Sequence, residues 1–167
     1  MKSLLNLITL IGYYQLPRLF NKKKLKNIIK TNEGFKNSPY LDQLGNLTIG
    51  YGHLILKSEK KTLNKKISRV TLNRLFDKDF NRAVLTFKAN YKKHNYSKKI
   101  NEMLIEMIFQ LGIKKTKEFK KFNYFLKCGQ HHMAALEMMN SLWYSQTPKR
   151  VECHISRLLC FNNVKRR

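Results

Sequence analysis

Acid is what this chain has least of. Ten of its 167 residues are Asp or Glu, against 34 Lys and Arg, and the formal net charge is +24. Cysteine is nearly as scarce. Cys128, Cys153 and Cys160 form no C-x-x-C pair, and no histidine stands at zinc-finger spacing, which sets aside a zinc module. Cys153 and Cys160 fall on one expected helix, about 10 Å apart along its axis and too far for a disulfide. Three reduced, core-type thiols in a protein made in the cytoplasm are the reading. His94, His131, His132 and His154 have no ligand spacing, so no metal and no cofactor is expected. No internal repeat or linker stands out. The one long uncharged stretch, Ser3 to Pro17, is too short to span a bilayer comfortably.

What is present is a core and a charge. Hydrophobic residues make up 43% of the chain, too many for a disordered segment. The length suits one domain, or two small lobes sharing a helix. The positive charge points to an anionic partner: nucleic acid, a membrane surface or an anionic cell-wall polymer. An AT-rich genome would also enrich Lys and Asn without selection for binding. The lysines are scattered and no nucleic-acid motif is visible, so no specific nucleic acid is expected. At the N-terminus, Lys2 and the apolar run behind it read either as an export signal or as an amphipathic helix. That helix would put Leu4, Leu5, Ile8, Ile11 and Tyr14 on one face, for packing or for membrane-surface contact through residues 1–20.

The periodicity predicts a mostly helical α+β chain. Leu25, Ile28 and Ile29 sit at helical spacing with Gly34 as C-cap. From Pro39 to Tyr51 the period falls to two around a Gly45-Asn46 turn, a small antiparallel hairpin. Leu72 to Tyr91 marks a long helix. Ser97 caps another that ends before Gly112. Thr116 is expected to cap a short helix, another is expected from Met133 to Leu142, and Thr147-Pro148 should open the last.

The scarce acids make one stretch stand out: TNEGFKNSPYLDQLGNLTIGYGH, Thr31 to His53. Glu33 closes the first helix, where the helix dipole disfavours a carboxylate and favours the protonated acid. Asp42 lies on the first strand, and Thr48 on the second could hold a water near it. Hydrolysis of a glycosidic bond needs this pair: an acid for the leaving oxygen and a carboxylate that stabilises the sugar cation or activates water. On spacing alone the signal is weak, because two acids nine residues apart are usually two solvated acids.

The pattern E-G-x5-Y-x-D-x2-G-x2-T-I-G-x-G-H, here Glu33, Gly34, Tyr40, Asp42, Gly45, Thr48, Ile49, Gly50, Gly52 and His53, resembles the phage lysozyme family, glycoside hydrolase family 24, and most closely its T-even type. LFDKDFNRAV from Leu75, EMIFQLG and LWYSQTPKRV resemble further blocks of the same family, in order, over roughly 25–158. The resemblance implies a two-lobed lysozyme-like fold and a muramidase that cuts the β-1,4 bond between N-acetylmuramic acid and N-acetylglucosamine in peptidoglycan. It makes Glu33 the general acid, with Asp42 and Thr48 placing the water of an inverting reaction. Arg150 would reach Glu33, Gln110 would lie near the cleft floor, and Tyr40 would support substrate. His53 and Asp79 would form a structural pair, and Trp143 would be core. Residues 1–24 would be an extension. Residues 25–167 would be the lysozyme domain, a monomer, with a small lobe about 34–70 and a helical lobe about 71–160. It would be made in the cytoplasm and act on the bacterial wall.

Departures from the family pattern carry their own expectations. The segment between His53 and Leu75 is short. Asn32 and Cys153 stand where the family has an acid and an arginine, so one lost ion pair would explain both. Glu106 stands in place of an Asn, with no visible partner. The alternative function is an inactive lysozyme-fold protein that binds the wall or disrupts membranes through its charge.

Overall fold

The computed structural model describes residues 20–42 and 45–159. The expectations for the N-terminal extension and for Cys160 fall largely or wholly outside them. Among the described residues, no helix is long and apolar enough to cross a membrane.

Helix α1 (Lys22–Glu33) starts where the Asn21 side chain accepts from the Lys24 amide at 3.0 Å. It buries Leu25 and Ile29 and stops at Gly34, whose φ of 70° a side chain would resist. Strands β1 (Lys36–Leu41), β2 (Leu47–Gly50) and β3 (His53–Leu54) make an antiparallel sheet in the order β1-β2-β3. Pro39 is tolerated because β1 is an edge strand. A short α2 (Lys60–Leu63) leads to the long α3 (Arg69–Tyr91), capped by Ser68. A 3-10 turn (Lys92–His94) then delivers the chain to α4 (Lys98–Glu118), capped by Ser97. Every residue from Ile100 to Ile108 is buried, so α4 is the central post and not a helix with one covered face. Four helices follow it: α5 (Lys120–Lys127), α6 (His131–Met139), α7 (Leu142–Gln146) and α8 (Pro148–Leu159), and α4 packs chiefly between α3 and α8.

Two apolar clusters result. The large one gathers residues such as Phe80, Phe87, Met103, Leu104 and Phe122 from the helices. The small one packs Ile49, Ile55, Leu63 and Leu72 beneath the sheet, and Phe35 touches both. Trp143 lies in the large cluster, as expected.

Some local expectations are corrected. Gly112 (φ 76°, ψ 162°) leaves the helical region and ends the first stretch of α4, as expected, but a further helical stretch carries the chain on to Glu118. Thr116 therefore caps nothing; its hydroxyl donates back to the Gly112 carbonyl at 2.8 Å. The helix expected from Met133 to Leu142 is two, because Ser141 turns out of the first and caps the second by accepting from the Tyr144 amide. Pro148 opens α8, but the Thr147 hydroxyl donates to the Trp143 carbonyl and so closes the helix before it. Cys128 and Cys153 are exposed, not core thiols, because each falls on the outward side of its turn or helix. The strand alternation does not sort in from out either: Thr48, Ile49, Gly50 and Tyr51 are all buried.

Candidate active site

Glu33 is the last residue of α1, and its carboxyl lies where three elements meet. From α8, the Arg150 Nη1 donates to Glu33 Oε1 at 2.8 Å, and Nη2 donates to the Asn32 carbonyl at 2.6 Å. From the β2–β3 turn, Gly52 comes so close that a Cβ there would stand 3.5 Å from Glu33 Oε2. Gly52 has φ +83°, so the residue that makes this approach is also the one able to take the turn. Burial pushes the Glu33 carboxyl above the usual carboxylate range, against the pull of the Arg150 charge and hydrogen bond. The helix C-terminus acts in the same direction as burial, since its partial negative charge disfavours a carboxylate.

The hairpin presents the other groups. Tyr40 pairs with Thr48 across β1 and β2, so these two side chains share a face. Asp42 follows two residues after Tyr40 and continues the ladder by donating its amide to the Asn46 carbonyl at 2.9 Å, which returns its side chain to the same face. The Asp42 carboxylate is aimed by Asn46, accepting from its backbone amide at 2.7 Å and from Nδ2 at 3.1 Å. Thr48 is buried and donates its hydroxyl proton to the Asn46 carbonyl at 3.0 Å. Its oxygen is left with lone pairs only. Burial, then the charges of Glu33 and of Asp42, raise the Tyr40 phenol. Lys36 lies 4.2 Å above the Tyr40 ring.

His53 links the sheet to α3. Its Nδ1 meets Asp79 Oδ2 at 2.7 Å and its Nε2 meets Glu59 Oε2 at 3.0 Å. Glu59 also accepts from the Leu56 amide at 3.1 Å. Burial alone would lower the imidazole. Hydrogen bonds to Asp79 and Glu59, and then their charges, outweigh it and raise the pKa. Gln110 sits on α4 with its Oε1 accepting from Trp143 Nε1 at 3.1 Å, an anchor between α4 and α7. Among the described residues no cluster of His, Cys, Asp and Glu could hold a metal ion.

Sequence reasoning missed two partners. Glu59 lies in the short segment with no motif of its own, and only its place six residues after His53 hinted at it. Arg157 is the unseen partner of buried Glu106, its Nη1 meeting Glu106 Oε1 from α8. Asn32 and Cys153 both line one open groove of about 590 Å³ between α1 and α8, where an ion pair between them would have stood.

The family described as "Phage lysozyme" matches residues 30–157, a span that takes in every group above. "Probable T4-type lysozyme 2" of Dictyostelium discoideum is 34% identical over 151 residues, covering 75% of this chain and 88% of that protein. "Probable T4-type lysozyme 1" of the same organism is 30% identical over 149 residues, with the same coverage. "Pre-baseplate central spike protein Gp5" of Enterobacteria phage T4 is 27% identical over 148 residues, 75% of this chain but 26% of that protein.

Proposed function

The chain belongs to the phage lysozyme family and is a glycosidase of the muramidase type, and from that premise we propose that Glu33 is its general acid and that Asp42 and Thr48 place the attacking water. The observation that carries the reading is the buried Glu33 carboxyl, raised in pKa beside a hairpin face that bears Asp42, Thr48 and Tyr40. The substrate is the β-1,4 bond between N-acetylmuramic acid and N-acetylglucosamine. Glu33 enters protonated and donates to the leaving glycosidic oxygen. A water held between Asp42 and Thr48 can give its protons only to their oxygens, because the Thr48 hydroxyl proton is committed to Asn46. That leaves the water's lone pair for the anomeric carbon. Asp42 takes the proton released as the bond forms, and the configuration inverts. On this reading the site of action is the bacterial wall, toward which the net charge of +24 draws the protein.

The test is lysis of chloroform-treated Gram-negative cells with release of new reducing ends, with proton NMR of the first product to read its anomer. Glu33→Gln cannot donate a proton and should lose roughly 10²-fold or more of the rate with an unchanged melting temperature. Lysis by that variant near the wild-type rate would sink the muramidase assignment in favour of a cationic wall-binding protein. A retained anomeric configuration would sink the water-placing role of Asp42 and Thr48.

A further inference from the structure

We propose that Glu106 is a positioning residue for the acid: with Arg157 it offsets the charge of Arg150, and so sets the pH range in which Glu33 keeps its proton. This rests on the reading of Glu33 as general acid. Arg150 poses that acid a problem. Two hydrogen bonds, to Glu33 and to the Asn32 carbonyl, fix its guanidinium beside the carboxyl. A fixed cation favours loss of the proton that the acid must deliver. Burial opposes that loss, and the structure supplies a second opposing influence.

Glu106 is buried on α4 and meets Arg157. Arg157 lies seven residues after Arg150 on α8, two turns along the same side, and both arginines line the groove that Asn32 and Cys153 leave open. Two ion pairs therefore meet α8, Glu33–Arg150 and Glu106–Arg157, and the Arg150 charge also acts on Glu106. The groups facing Glu106 are Arg157 and Arg150 from α8 and Glu102 from its own helix. Glu102 in turn accepts from the Asn21 amide at the start of α1, at 2.9 Å. His154 lies on α8 between the two arginines and is held neutral by burial and then by their charges. Arg150 pairs with Glu33, and the charges of both Glu33 and Asp42 act on the Tyr40 phenol. A neutral residue at 106 would leave two cations on α8 with one carboxylate between them. Arg150 would then act on Glu33 with burial alone to oppose it.

The test compares pH profiles of kcat/KM on soluble peptidoglycan fragments for wild type, Glu106→Gln, Glu106→Asn and Arg157→Gln. The same enzymes are then followed by carbon-13 titration of the Glu33 carboxyl. The two substitutions at 106 should move the alkaline limb down by about one pH unit, the order of one charge at an effective dielectric near 20. Arg157→Gln should move it up, because Glu106 then draws more on Arg150. Lower melting temperatures with every limb unmoved would overturn the proposal and leave Glu106–Arg157 a packing pair. Asparagine, which the family resemblance places at this position, keeps the test open if glutamine does not fold. The titration also stands apart from activity. A shifted Glu33 carboxyl in a protein whose Glu33→Gln variant still lyses cells would keep the coupling and remove the catalytic reading; an unshifted one would remove the coupling.

Discussion

Replacing His53 with asparagine takes a cation from between two carboxylates. The side chains are 9% exposed for His53, 17% for Asp79 and 24% for Glu59, so the histidine is inside and its partners keep some water. Breaking a buried pair by removing one member costs about 3–5 kcal/mol. The lower end applies here, because Glu59 keeps the Leu56 amide and Asp79 keeps Arg82 at 3.8 Å. A loss of about 3 kcal/mol in a chain of this size lowers Tm by roughly 6–12 °C. The pH dependence is the sharper test. The folded pKa of His53 is raised above its ordinary value. Its charge therefore contributes stability in full below about pH 6.5, and that contribution is lost as pH rises through the folded pKa. Thermal unfolding followed by circular dichroism from pH 5 to pH 9 should show a wide gap between wild type and His53→Asn at pH 5–6, narrowing toward pH 9. Equal Tm values at pH 5, or a gap that widens with pH, would refute the paired imidazolium. Loss of activity with unchanged Tm would make His53 a participant in catalysis and not a clamp.

Other outcomes follow from single features. His154 is fully buried with neither ring nitrogen hydrogen-bonded, and burial pushes its pKa down to about 3. The unfolded chain takes up that proton below about pH 6.5, so His154→Leu should stabilise the protein increasingly as pH falls, by roughly 3 kcal/mol at pH 4.5 in urea titrations; a pH-independent difference would show that the ring is paired. Gly52→Ala forces a side chain into a left-handed turn against Glu33, and should cost about 1–2 kcal/mol of stability and lower kcat together; an alanine variant with native kcat would show that the turn leaves the acid alone. Lytic rate on whole cells should fall steeply between low and physiological salt through KM, because exposed charges are screened beyond about 8 Å; a fall in kcat alone would place the salt effect on the chemistry.

The parts of the site legible in the sequence are those written locally. Gly34 ends α1 and Ser97 begins α4 through contacts within four residues, and both signals read correctly. The hairpin follows from the alternation around Gly45, although burial of every residue from Thr48 to Tyr51 could not be seen without knowing what packs there. Charge pairing outside the family pattern was the illegible part. Glu106 and Arg157 are 51 residues apart, and nothing near either announces the other. Two helix boundaries, at Thr116 and Ser141, and the side-chain cap expected of Thr147 failed for one reason: hydroxyls bond to the backbone in either direction. Thr116 and Thr147 donate backward and end a turn, while Ser141 accepts forward and begins one. The apolar rhythm from Met133 to Leu142 ran across Ser141 because Leu142, although apolar, faces solvent.

Arg150 reaches Glu33 across 117 residues of chain. Synthesis at about 5–20 residues per second puts roughly 6–23 seconds between the emergence of the two. Through that interval the hairpin can form and Glu33 can take its place at the end of α1, but α8 has not been made. The acid then has neither its cation nor the cover of the last helix, and both its burial and its proton affinity differ from those of the finished site. Nascent chains and fragments that stop before α8 carry the whole glutamate–aspartate–threonine stretch without the setting described for it. The surroundings of Glu33 are complete only once α8 has been made.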